Sequence, residues 1–218
     1  MKFFVTVICL FIGNMIIAQT NDSSSFPPGL QSRDSCTALL AAAKQHMFNQ
    51  HYSRVIELAD SCLKNSPDNP EANNLKGCAT IRVSYINDEK NNRTAVSCFT
   101  KAIQADPTNY MYYNNRGWAY ANLDDYTKAN ADYKKAVEID SSNVSLQANL
   151  LGVMVIKNRN KEAYAFSNKL IAQFPNDGYA YYIRGNLKRD YLHKYPEGNK
   201  DIKLGEQLGW QQGMHLMY

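Results

Sequence analysis

The sequence predicts an all-α protein, built as an array of about five helix-turn-helix units. Three series of residues carry that reading. Small residues recur at Ala43, Gly77, Gly117, Gly152 and Gly185, in steps of 34, 40, 35 and 33. A second small series runs Val55, Ala95, Ala129, Ala163 and Gly198, in steps of 40, 34, 34 and 35. A breaker series, Pro67, Pro107, Ser141 and Pro175, steps by 40, 34 and 34. A shared period in this range marks stacked helical repeats, which commonly bind other chains.

The clearest unit runs from Tyr110 to Asn143. Tyr113, Gly117 and Tyr120 fall four and three apart, which is one face of a helix. Asn122-Leu123-Asp124-Asp125 reads as a polar turn. Tyr126, Ala129, Tyr133, Ala136 and Val137 then mark the second helix of a hairpin. Glycine inside a helix costs about 1 kcal/mol relative to alanine, so its return in four of the five units needs a reason. Close approach of the paired helix supplies one, with Ala129 opposite Gly117 and the tyrosines filling the wider parts of the seam. Proline ends one helix and starts the next cleanly because it lacks the N–H that a helix interior needs.

This pattern resembles the tetratricopeptide repeat. That family alternates bulky, small and aromatic residues on the first helix, then small, aromatic and small on the second, before a proline. The third unit matches with Tyr113, Gly117, Tyr120, Ala129, Tyr133 and Ala136, and departs at Ser141. The second matches with Gly77, Ala95, Phe99, Ala102 and Pro107, and carries six extra residues within 84–94. The first is looser, with Leu39, Ala43, Ala59, Cys62 and Pro67. The fourth keeps Gly152, Ala163 and Pro175 but is one residue short in its turn. The fifth keeps Tyr181, Gly185 and Ile202, and its charged Arg184 and Lys188 are expected to mark a solvent-facing terminal cap. The resemblance implies a right-handed superhelical array over 36–210, with units at about 36–69, 70–109, 110–143, 144–177 and 178–210, and a tail at 211–218.

The start of the chain reads as an export signal. Lys2 gives a short basic start, Phe3 to Ile12 is nearly all apolar, and small Ala18 precedes polar Gln19, so 1–18 is the expected signal peptide. The apolar run is short for a membrane span and is interrupted by Gly13-Asn14. An uncleaved anchor is the alternative reading. The Ser- and Pro-bearing stretch 19–35 is expected to be a flexible linker. The expected destination is the periplasm or the medium. Cleavage removes one lysine, which leaves a net charge of +3 from 23 basic and 20 acidic residues. That mild balance, with no basic stripe interleaved with aromatics, makes nucleic acid a poor partner.

Cys36, Cys62, Cys78 and Cys98 lie beyond the signal, where an exported chain meets oxidising conditions. In the repeat, the small residues of the two helices face each other. Cys36 lies seven before Ala43 and Cys62 seven after Val55, so this pair could bridge the first hairpin. Buried free thiols are an equal alternative there, and the preferred reading for Cys78 and Cys98. No Cys-x-x-Cys occurs and the four histidines lack ligand spacing, so neither metal nor cofactor is expected. No His-Glu-x-x-His, phosphate-cradling glycine loop or Gly-x-Ser-x-Gly elbow is present, so no catalytic residue is assigned.

What remains is a surface. By the resemblance, the first helices line a concave groove, and the lining here is Lys44, Asn74, Asn114, Asn115, Trp118, Asn149, Tyr182, Asn186 and Arg189. Amide side chains carry donors and an acceptor and can hold an extended peptide by its backbone. Plain polar filling of the surface is the competing account of those asparagines. The family's carboxylate-clamp variant is not expected, because only Lys44 and Arg189 supply charge there. The expected function is non-catalytic capture of a peptide or protein partner in the groove. The alternative is a structural subunit of an envelope or secretion complex, docking through 84–94 or the convex side.

Overall fold

The computed structural model describes residues 32–83 and 88–210, and every regular element among them is helical. The expected signal peptide, the linker as far as residue 31 and the tail at 211–218 lie outside the described residues. The described chain forms two compact units that divide between Asp140 and Ser141.

The first unit holds three helical hairpins. They are α1 (Ser32–Phe48) with α2 (Tyr52–Asn65), α3 (Pro70–Val83) with α4 (Glu89–Ala105), and α5 (Tyr110–Asn122) with α6 (Tyr126–Ile139). Helix α1 starts at Ser32, inside the stretch read as linker, so the first unit begins earlier than residue 36. Of the extra segment at 84–94, residues 89–94 extend α4 at its start, where Asp88 caps the helix through Asn91 N–H at 2.9 Å.

Pro67 and Pro107 do more than break helices. Two residues after each stands an asparagine whose side chain accepts from the next helix: Asn69 from Ala72 N–H at 2.8 Å and Asn109 from Met111 N–H at 3.0 Å. Such a cap is worth about 1 kcal/mol. Inside the first and third hairpins, the turns at Gln50 and Asp124 adopt left-handed backbone, with φ of 62° and 58°.

Glycine sets the helix spacing where the sequence places it in this unit. A Cβ on Gly77 would sit 2.6 Å from the Phe99 ring, and one on Gly117 would sit 2.8 Å from the Tyr133 ring. Phe99 is fully buried and Tyr133 nearly so. The first hairpin packs Leu40, Ala43, Val55, Leu58 and Cys62 against Ala72, Leu75 and Ala79 of α3. A disulfide joins Cys36 to Cys62 there, with Cα atoms 4.8 Å apart, while Cys78 and Cys98 are free.

The second unit holds α7 (Val144–Ile156), α8 (Asn160–Gln173), α9 (Gly178–Asn186), a π-helical turn (Leu187–Tyr191) and α10 (Tyr195–Gln207). Its core packs Val144, Ala148, Leu151 and Val155 against Ala163, Leu170, Ala180, Ile183 and Leu187. Two expectations fail in this unit. Gly152 meets nothing: a Cβ added there has no neighbour within 4 Å, so close packing does not explain it. Arg184 and Lys188 do not form a solvent-facing cap. Both reach Asp201 of α10, at 2.7 and 2.8 Å, and all three side chains are largely buried. The π turn continues α9 as far as Tyr191 and carries Lys188 within reach of that carboxylate. The α9–α10 contact is closer than the small-residue series alone suggests, because glycine faces glycine. A Cβ on Gly185 would lie 2.7 Å from the Gly198 carbonyl oxygen, and one on Gly198 the same distance from that of Gly185.

Candidate partner-binding face

In the first unit, the first helices of the three hairpins (α1, α3 and α5) carry Lys44, Asn74, Asn114, Asn115 and Trp118. Side-chain contacts run between neighbouring helices. Lys44 on α1 pairs with Glu71 on α3. Asn115 on α5 donates through Nδ2 to Asn74 Oδ1 on α3 at 2.9 Å, and to Cys78 Sγ at 3.3 Å. Trp118 on α5 lies beneath Arg82 of α3, whose guanidinium carbon is 5.6 Å from the ring centroid. The inner side of the same indole packs on the cluster of Ile81, Ala95, Phe99 and Ala119.

Helical spacing explains the α3 ridge. Asn74, Cys78 and Arg82 stand four apart, so they stack along one face. Burial pushes the Cys78 thiol above its ordinary pKa, against the opposing pull of the Arg82 cation and its hydrogen bond. The thiol is therefore a neutral, weakly polar floor between the amide pair and the arginine. Sequence reasoning placed neither Cys78 nor Arg82 on this face. The four-residue spacing from Asn74 was the signal that could have found them. Asn114 is half-buried on α5.

The second unit treats its predicted residues differently. Asn149 is half-buried on α7. Tyr182 is covered: its ring stacks on Trp210, with centroids 3.5 Å apart. Asn186 is only 7% exposed, so it does not line an open surface. Arg189 lies beyond α9 on the π turn and pairs with Asp190 at 2.7 Å. Asn186 departs from the expected lining because it is buried at the end of α9.

Among the described residues, no three His, Cys, Asp or Glu side chains converge as metal ligands. No described helix is long and apolar enough to cross a membrane. The chemistry this face offers is hydrogen bonding, one aromatic surface and charge.

Residues 98–129 match the tetratricopeptide repeat family. The matched stretch runs from the second half of α4, through α5, into α6. Over 50 residues the chain is 42% identical to the protein STIP1 homolog of Dictyostelium discoideum, covering 23% of this chain. It spans less than a tenth of the length of the curated relatives it matches, 9% and 8%. Among solved structures, a crystal structure of MamA protein superposes with a TM-score of 0.62 at 16% identity, covering 85% of this chain and 97% of that one. YrrB, described as a tetratricopeptide-repeat protein with an unusual peptide-binding site, gives a TM-score of 0.57 at 15% identity, covering 81% and 88%. These likenesses establish the repeat fold.

Proposed function

We propose that this chain is an exported, non-catalytic interaction scaffold that captures a peptide or protein partner along the first-helix face of its first unit. The observation that carries this reading is the amide pair Asn74–Asn115, which joins α3 to α5. The shared hydrogen bond fixes both side chains. It uses Asn115 Nδ2 and Asn74 Oδ1, and so leaves Asn74 Nδ2 as a donor and Asn115 Oδ1 as an acceptor. A peptide backbone unit presents the complementary acceptor and donor. Peptide binding by the solved protein YrrB supports the choice of partner class.

A photo-crosslinking residue at position 114 should trap a partner in the native host, and the same residue at exposed Lys135 on α6 should not. Equal trapping at both positions would remove the face from the function. Export is supported by the Cys36–Cys62 bridge, since structural disulfides persist in oxidising compartments. N-terminal sequencing of the exported protein should begin at Gln19. A chain retained in the cytosol with Met1 intact would overturn export.

A further inference from the structure

One arginine on α3 stands apart from the others, and its role as a subsite rests on the reading of α1, α3 and α5 as the binding face. Seven arginines have described side chains, and six sit on carboxylates: Arg54 on Glu57, Arg93 on Glu89, Arg116 on Asp132, Arg159 on Glu162, Arg184 on Asp201 and Arg189 on Asp190. Arg82 is the exception among the described residues. Its contacts among the described residues are the Trp118 indole and the Cys78 carbonyl oxygen, 3.5 Å from Nη1. Residues 84–87, which follow it in the sequence, include no Asp or Glu. Arg82 is also exposed.

A guanidinium lying on an aromatic ring has its orientation set by the ring, while its N–H donors project from its own edge. That fork matches a carboxylate, which it binds through two parallel hydrogen bonds. At the other end of the face the positive charge is already answered, because Lys44 pairs with Glu71. Among the described residues of this face, the cation without a carboxylate therefore stands at the Arg82 end.

The distance from Arg82 to the amide pair sets the spacing of the ligand. Asn74 and Arg82 are eight residues apart on one helix, about 12 Å at a rise of about 1.5 Å per residue. An extended chain advances about 3.3 Å per residue, so three or four residues bridge that gap. We propose that this face takes an extended acidic peptide segment. Arg82, seated on Trp118, forks one aspartate or glutamate, and Asn74 with Asn115 holds the main chain three or four residues away.

The test uses the mature chain and a fluorescein-labelled octapeptide of alternating aspartate and alanine, amidated at its C-terminus so that only side-chain carboxylates are offered. The control peptide carries asparagine in place of aspartate. By fluorescence anisotropy at about 50 mM salt, the aspartate peptide should bind about tenfold more tightly. Arg82→Gln should erase the difference, and Arg82→Lys should restore part of it, because charge returns without the fork. Equal binding of the two peptides, an aspartate peptide indifferent to Arg82→Gln, or no binding up to about millimolar peptide would each overturn the acidic subsite. Crosslinking at position 114 reads the face itself, so the two ideas fail separately. A partner trapped at 114 from both the parent and the Arg82→Gln chain, in equal yield, keeps the face and removes the subsite.

Discussion

Arg116 forks Asp132 across the third hairpin, with Nε to Oδ2 and Nη2 to Oδ1 both at 2.8 Å. Its remaining arm donates to Thr100 Oγ1 on α4 at 3.1 Å, so one side chain ties α4, α5 and α6 together. The fifth repeat builds the same device: Arg184 forks Asp201 at 2.7 and 2.8 Å and donates to Asn168 on α8 at 3.0 Å. Both arginines stand directly before a seam glycine, and both aspartates stand three residues after the facing small residue, Ala129 or Gly198.

The Arg116–Asp132 pair is largely buried, with side-chain exposures of 18% and 9%. Asp132→Ala strands the guanidinium in a poorly hydrated place, which costs about 3–5 kcal/mol in comparable buried pairs. The double change Arg116→Leu with Asp132→Leu should cost less than the single one, because no charge is left behind. Urea melts monitored by far-UV circular dichroism compare the three chains. A double variant less stable than Asp132→Ala would show that the pair itself, and not the stranded charge, carries the stability.

The glycines separate two physical situations. Gly117→Ala drives a methyl against the Tyr133 ring and within 3.3 Å of the Ala129 carbonyl oxygen, so overpacking of about 1–3 kcal/mol outweighs the helical gain of about 1 kcal/mol. Gly185→Ala should cost more, since the group it meets includes the backbone oxygen of Gly198, which cannot swing aside as a ring edge can. Gly152→Ala enters open space and should stabilise the chain by up to about 1 kcal/mol. Thermal melts ranking these variants in any other order would break the packing account.

These contrasts mark how far residue types reach. The in-phase small residues made the hairpins legible, because a missing side chain leaves a periodic trace. They did not separate Gly117, pressed against Tyr133, from Gly152, which meets nothing, because both occupy the same place in the repeat. Arg184 and Lys188 misled for a related reason. A charged side chain at an apolar register reads as solvent-facing until its partner is located, and Asp201 lies 17 residues on from Arg184, in another helix. The first-helix positions of the proposed face were legible, and Asn74 and Asn115 among them meet through a hydrogen bond. Arg82 was not legible, since its distinction is that no described carboxylate pairs with it, which only spatial neighbours reveal.

The Cys36–Cys62 bridge closes a loop with a sequence separation of 26 in the most loosely patterned repeat. The loss of chain entropy in the unfolded state by a loop of that size is worth about 3.5 kcal/mol of stability. Reduction with dithiothreitol, or the change of both cysteines to serine, should lower the melting temperature of the first unit. Cys78→Ser should not reproduce this effect, because that thiol is free. A melting curve indifferent to reductant would mean that the bridge contributes nothing to the fold.

The turn between α1 and α2 carries a pH response of determinable sign. His46 and His51 meet through their Nδ1 atoms at 3.2 Å, a contact that needs at least one of the two nitrogens unprotonated. Burial first, then the charges of His51 and Arg54, hold His46 below its ordinary pKa of 6.5. A group whose folded-state pKa is depressed favours the folded chain above its unfolded value, and that contribution is lost as pH falls through the folded one. Stability should therefore fall on acidification from about pH 7.5 to below about pH 6, and His46→Gln should remove part of the fall. Arg54→Gln should lessen it as well, since one repelling cation is gone. Melting temperatures taken across that range for the three chains decide it. A parent chain that gains stability on acidification through this window, with the gain abolished by His46→Gln, would reverse the assigned sign and place a favourable charge partner beside this imidazole.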